Sequence, residues 1–250
     1  MTVDYYNRLA PFYKYMHRYW NESISRHAEL LDSIIKEFFG QKQTLLDVSC
    51  GIGTQAVGLA GIGYAVSASD ISNAELAIAK EEAAKRGLSI NFSQADMREV
   101  SKKHKERFDV VLSADNSIPH LLSDADILNA FSEFYAVLKP GGGCIITVRD
   151  YENVNPEKQQ FRLNPRTVHN IPGGRVVLFD LWRFDGDFYD MDTYIVKDTG
   201  GNSHETVALR SRYYCIKTKR IEELMREAGF DNVRTLKERF FQPAIIGTKP

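Results

Sequence analysis

The residues with the clearest chemical potential sit in one stretch, Leu45-Leu46-Asp47-Val48-Ser49-Cys50-Gly51-Ile52-Gly53-Thr54. An apolar run meets an acid and breaks into a Gly-x-Gly turn. Such glycines let the backbone approach a ligand with no Cβ in the way. A helix opening at Thr54 would add unpaired N–H groups and positive potential. Asp70, Asp96, Asp115-Asn116 and Arg149 each follow a further short apolar run. A carboxylate at Asp70 could accept both hydroxyls of a ribose. One at Asp96 could accept from an adenine amine, with Met97 adding a backbone N–H and an apolar face. The plainer alternatives are a helix N-terminal charge for Asp70 and a turn aspartate for Asp96. Two ligands suit the turn, a dinucleotide or the nucleoside-sulfonium S-adenosylmethionine. Gly51-Ile52-Gly53-Thr54-Gln55-Ala56 even fits the Gly-x-Gly-x-x-Ala dinucleotide fingerprint, which is weak evidence by itself.

The elements that must position these residues alternate. Spacings of three and four predict a helix over 22–39, closed by Gly40. A helix over Thr54–Ala60 follows the opening strand, and Tyr64–Ser69 is a second strand. Ser72-Asn73-Ala74-Glu75 is a capping-box pattern for a helix through Ala84, which Gly87 ends. Ser89–Gln94 and Phe108–Ser113 are the third and fourth strands. Ser123 and Asp126 cap a helix that stops at Lys139-Pro140-Gly141-Gly142, and Cys144–Val148 is the fifth strand. Alternation of this kind predicts a parallel sheet with helices on both faces. Ligands then bind beyond the carboxyl ends of the strands, where all the polar residues above fall.

The pattern then changes. Arg175–Phe184, Phe188–Val196 and Thr206–Ile216 read as strands with no helix between them, with Asp185-Gly186-Asp187 and Gly200-Gly201-Asn202 as turns. An antiparallel insertion over about residues 160–216 is expected. Thr218 caps a last helix, and Val233–Phe241 with Ala244–Thr248 form a final antiparallel pair at the sheet edge. The 250 residues fit one domain, with an N-terminal helical cap over 1–40.

Composition excludes several classes. The chain is 43% apolar and 26% charged with a net charge of −1, and it has no basic run. Nucleic acid and an anionic membrane are therefore not expected partners. No apolar run approaches the roughly 18 residues of a membrane span, and no leader is apparent. Cys50, Cys144 and Cys215 are far apart, which suggests a reducing cytoplasm. The six histidines are scattered without metal-ligand spacing, so no metal is expected.

As a set, Asp47 to Gly53, Asp70, Asp96-Met97, Leu138-Lys139-Pro140-Gly141-Gly142 and Ala228-Gly229-Phe230 resemble the class I S-adenosylmethionine-dependent methyltransferases over nearly the whole chain. Ser49 stands where that family's first motif usually has glycine. Asn116-Ser117-Ile118-Pro119-His120-Leu121, Arg149-Asp150-Tyr151 and Ser25-Arg26-His27-Ala28-Glu29 resemble the glycine and sarcosine N-methyltransferase branch. Asp150 and Val148 depart from it, standing where the branch has asparagine and histidine.

The resemblance implies a three-layer, Rossmann-like fold. Its sheet has seven strands, mostly parallel, with an antiparallel C-terminal pair and the β insertion as a lid. It implies Arg26 for the methionyl carboxylate, Asn116 and Arg149 for the acceptor, and His120 beside both. It places Tyr13, Asp47, Ser49, Cys50, Gly51, Gly53, Asp70, Ile71, Asp96, Met97 and Ala114 around the cofactor. The expected activity is methyl transfer from S-adenosylmethionine to a small-molecule acceptor, an amine such as glycine or sarcosine, leaving S-adenosylhomocysteine. A nicotinamide oxidoreductase and a non-catalytic S-adenosylmethionine-binding subunit are the alternatives. A homodimer is left open.

Overall fold

The computed structural model describes residues 2–155, 161–162, 168–200 and 204–250. Its strands are β1 Thr44–Asp47, β2 Ala65–Asp70, β3 Asn91–Gln94, β4 Phe108–Ser113, β5 Leu138–Thr147, β6 Phe161–Arg162, β7 Val168–Ile171, β8 Gly174–Asp185, β9 Phe188–Asp198, β10 His204–Tyr214, β11 Asp231–Leu236 and β12 Ala244–Thr248. Its helices are α1 Thr2–Leu9, α2 Trp20–Phe39, α3 Thr54–Gly61, α4 Asn73–Lys85, α5 Val100–Lys103, α6 Asp124–Val137 and α7 Thr218–Glu227.

The main sheet has seven strands in the order β11-β12-β5-β4-β1-β2-β3. β12 pairs antiparallel with both neighbours, β5 and β11, while the other pairings are parallel. Successive side chains of a strand point to opposite faces. Leu45, Val110, Leu112 and Ile145 therefore pack with Ala28, Leu31 and Ile35 of α2, Ala56 of α3 and Leu76 of α4. Leu46, Val111, Cys144 and Ile146 meet Phe131 and Phe134 of α6 and Leu224 of α7 on the other face. Two apolar faces need two helical layers, and the three-layer arrangement follows from that need.

A second, antiparallel sheet has the order β10-β9-β8-β6, with β7 also paired to β8. The two residues Gly186 and Asp187 connect β8 to β9, with Gly186 at φ 57°. A left-handed residue suits so short a hairpin. The expected Gly201-Asn202 turn lies outside the described residues. The core of this sheet includes Leu178, Trp182, Tyr189 and Tyr213, and Tyr5 and Leu9 of α1 pack into it.

Several boundaries differ from expectation. β5 begins at Leu138 and not at Cys144, because Leu138 already pairs with Phe108 of β4 ahead of a register shift, and Gly141 and Gly142 exchange backbone hydrogen bonds with Lys249. β11 ends at Leu236, short of Phe241. The chain turns at Glu238, at φ 60°, and Phe240 enters the core. Thr218 does not cap α7. Its hydroxyl donates to Glu152, and the N-cap is Lys217.

Candidate functional site

The turn after β1 is held from several sides. Val48 N–H donates to Leu112 O, and Cys50 N–H donates to Ser69 O at 3.0 Å. Gly51, at φ 52°, donates its N–H to Asp70 Oδ2 at 2.8 Å, while Ser72 N–H donates to Asp70 Oδ1 at 2.8 Å. Ser49 takes the usual glycine position without strain, and its hydroxyl bonds Ser113 Oγ at 3.0 Å. Gly53 starts α3 at φ 89°. A Cβ there would lie 3.1 Å from Ala79 and Val57. Gly53 thus serves the packing of α3 on α4.

Above the turn lies a cavity of about 280 Å³. Ser49, Cys50 and Gly51 line it from the turn, and Asp70 and Ile71 from the end of β2. Asp96 and Met97 line it after β3, Ala114 and Asp115 after β4. Tyr13 and His120 complete the set of expected residues that reach it. Asp47 and Gly53 stand behind the turn, outside the lining. Arg26 is not brought to the cavity. It is exposed, halfway between Ile24 and Ala28 on α2, on the opposite side of the helix from that buried stripe. His27 faces inward in its place, with Nδ1 3.3 Å from Gln55 Nε2 and its ring stacked on Phe241.

The lining also holds Tyr6, Gln55, Glu75 and Arg98, which motif reading did not single out. The sequence pattern gives Glu75 only the role of capping partner to Ser72. Ser72 Oγ does accept from Glu75 N–H at 3.2 Å, but Ser72 N–H is taken by Asp70. Arg98 holds Asp96 through Nη2 at 2.7 Å and reaches Asp126 at 3.2 Å.

A second cluster begins where β4 and β5 end. Asp115 and Asn116 are left-handed, at φ 58° and 67°. Short polar side chains tolerate that region. Asn116 is buried, and its Oδ1 accepts from Arg149 N–H at 3.0 Å and from the Tyr151 hydroxyl at 3.1 Å. Its Nδ2 is buried with no partner. Arg149 Nη1 donates to Tyr189 Oη at 2.5 Å, and its guanidinium lies 5.0 Å from the Trp182 ring. Trp182, Tyr189 and Tyr213 stack in series across β8, β9 and β10. The series continues to the His120 ring, 4.2 Å from that of Tyr213. His120 Nε2 is 2.6 Å from Tyr6 Oη and Nδ1 is 3.3 Å from Ser211 Oγ.

Arg149, Trp182, Phe241 and Gln242 line a separate cavity of about 330 Å³. Gln242 ties its lining to Asp115 of the first one. Its Oε1 accepts from Thr147 Oγ1 at 3.0 Å, and its Nε2 donates to Asp115 Oδ1 at 3.3 Å.

Burial sets the proton affinities. It pushes the Asp47 carboxyl up to about 7, and raises Asp70 despite the N–H groups of Ser72 and Gly51. Glu75 is pushed well up by burial and by Asp70 and Asp115. Asp96 goes the other way, because the Arg98 hydrogen bonds and charge outweigh its burial. His120 is lowered to about 3 by burial and by the Arg149 charge, so its ring is neutral at neutral pH.

The cavity fits a nucleoside-sulfonium. Two acids stand at the ends of adjacent strands, the glycine turn leaves room beside them, and Glu75 Oε1 is a buried polar atom with no partner in the chain.

Comparison with known proteins agrees. A family model described as a methyltransferase domain matches residues 45–142. The chain is 33% identical over 226 residues to the glycine/sarcosine N-methyltransferase of Aphanothece halophytica, covering 86% of this chain and 78% of that protein. It is 32% identical to the enzyme of the same description from Parasynechococcus marenigrum, and there the match spans only 47% of the relative's length. The S-adenosylmethionine-bound structure of an amino pentose methyltransferase from Micromonospora echinaspora superposes with a TM-score of 0.80 at 16% identity, covering 96% of this chain and 95% of that one. The cofactor is S-adenosylmethionine, and the chain belongs to the class I S-adenosylmethionine-dependent methyltransferases.

Proposed function

We propose that the enzyme methylates the nitrogen of a small amine that also bears a carboxylate, such as glycine, sarcosine or a related amino acid. Arg149 carries this reading. Its guanidinium lies among aromatic rings at the end of β5, bonded to the Tyr189 hydroxyl, and the Asp180 carboxylate acts on its charge. A planar fork of donors in such a place suits a carboxylate ligand. The glycine/sarcosine N-methyltransferase relatives support the same acceptor class.

In this reading residues 1–250 form one methyltransferase domain, and the insertion over 160–216 closes the acceptor site. Arg149 anchors the acceptor carboxylate. The unpartnered Nδ2 of Asn116 donates to the acceptor, and His120 holds Tyr6 at the boundary with the cofactor. The rings of Trp182, Tyr189 and Tyr213 exclude water and favour the ammonium product. On the cofactor side, Asp70 takes the ribose, and Met97 and Ile71 flank the adenine beside Asp96. Ser49, Cys50 and Gly51 present backbone to the methionyl arm. Tyr13 and Gln55 receive its carboxylate near the α3 N-terminus, where Arg26 does not reach.

S-adenosylmethionine supplies a methyl already activated by its sulfonium. The protein's task is alignment: holding the amine in line at about 3 Å supplies much of the acceleration. The acceptor ammonium must lose its proton to solvent before its lone pair is free.

A panel of amines with mass-spectrometric product detection tests the reading. Glycine, sarcosine and related amino acids should be methylated, and methylamine and amino sugars should not. Equal turnover of amines with and without a carboxylate would sink it.

A further inference from the structure

Glu75 lies in the first turn of α4, is 1% exposed and lines the cofactor cavity. Its Oε1 has no hydrogen-bond partner. Burying a polar group without a partner is costly, so a retained one calls for a ligand. The local partner is taken: Ser72 N–H, which would close a capping box, donates to Asp70 instead. A Cβ on Gly51 would sit 3.4 Å from Glu75 Oε2, which places the carboxyl against the glycine turn.

The surroundings select the sign of that ligand. Asp70 at the end of β2 and Asp115 after β4 act on Glu75 as like charges. Tyr6 of α1, Tyr13 of the following turn and Cys50 of the glycine turn also feel its charge, and burial holds all three protonated. No cationic side chain of a described residue pairs with Glu75. Arg98, the one arginine in the lining, is held by Asp96 and Asp126 at the other side of the cavity.

We propose that Glu75 is the cation-recognising residue of the cofactor site, its carboxylate pairing with the positive charge that S-adenosylmethionine brings at its sulfonium or at its α-ammonium. In the free protein burial and the neighbouring acids Asp70 and Asp115 favour the protonated carboxyl. When the cation arrives, the O–H bond breaks, the proton goes to solvent and the carboxylate stays to pair with the ligand. If the sulfonium is the partner, methyl transfer removes the charge from sulfur, the carboxyl takes a proton back, and the product loses its hold.

The test is calorimetric titration of wild type and Glu75→Gln with S-adenosylmethionine and S-adenosylhomocysteine, each in two buffers of different ionisation enthalpy. Wild type should release a proton on binding S-adenosylmethionine, and the variant should release less. Each unit by which the cation carries the carboxyl pKa below the assay pH is worth about tenfold in affinity, which the variant loses. A loss confined to S-adenosylmethionine assigns the sulfonium. An equal loss for S-adenosylhomocysteine, which keeps the ammonium, assigns the α-ammonium. Unchanged affinities and proton release in the variant overturn the proposal. Absence of proton release in the wild type overturns it however the variant folds.

Discussion

Gly51 donates its backbone N–H to Asp70 Oδ2 at 2.8 Å, so the glycine turn and the end of β2 are one mechanical unit. Asp70→Asn replaces a charged acceptor facing two N–H donors with an amide that satisfies only one. Leaving a buried donor unpaired costs about 1–3 kcal/mol. S-adenosylhomocysteine binding, measured by calorimetry, should weaken by roughly tenfold or more. Unchanged affinity would mean the two loops hold their places without this carboxylate.

Arg149→Lys keeps the charge and loses the planar fork. The KM for the acceptor should rise by about tenfold or more, because a lysine cannot make the paired contacts of a guanidinium. Binding of S-adenosylhomocysteine should stay as in wild type, since Arg149 lines the other cavity. Steady-state kinetics with calorimetry separate the two effects.

His27 sits between Gln55 and Phe241, and burial lowers it to about 4. Its folded pKa is below the roughly 6.5 of the unfolded chain. Between those values the unfolded state binds more protons, so stability falls as pH drops. The slope is about 1.4 kcal/mol per pH unit for this residue in the middle of the window. Urea midpoints at about pH 6.5 and 4.5 should fall less steeply for His27→Gln than for wild type. Parallel curves would assign the acid sensitivity to other groups.

Gly53→Ala places a side chain at φ 89° and 3.1 Å from Ala79 and Val57. Overpacking of this kind costs about 1–3 kcal/mol. The urea midpoint should fall accordingly with an unchanged m-value. A variant as stable as wild type would show that α3 and α4 can separate at no cost.

The motif acids and the turn were legible because their signals are local. Asp47, Gly51, Gly53 and Asp70 sit at strand ends that apolar runs announce, and the Asp185-Gly186-Asp187 hairpin needs only its own residues. Arg26 shows the limit of local reading. The likeness of Ser25-Arg26-His27-Ala28-Glu29 implies a place for it at the cofactor, whereas the helix stripe of Ile24, Ala28 and Leu31 turns it outward.

By itself the sequence determined the alternation of strands and helices, the seven-stranded sheet with its reversed final pair, the antiparallel insertion, and a cofactor turn with two acids on the neighbouring strand ends. These follow from periodicity and turn chemistry, which act over a few residues. Only the tertiary structure decided the rest. Gln242 reaches Asp115 from 127 positions away, Tyr6 reaches His120 from 114, and Tyr189 reaches Arg149 from 40. Glu75 lines the cavity, and Asp70 takes the N–H that its capping box would use. Such pairings are set by how layers pack, and no spacing along the chain encodes them.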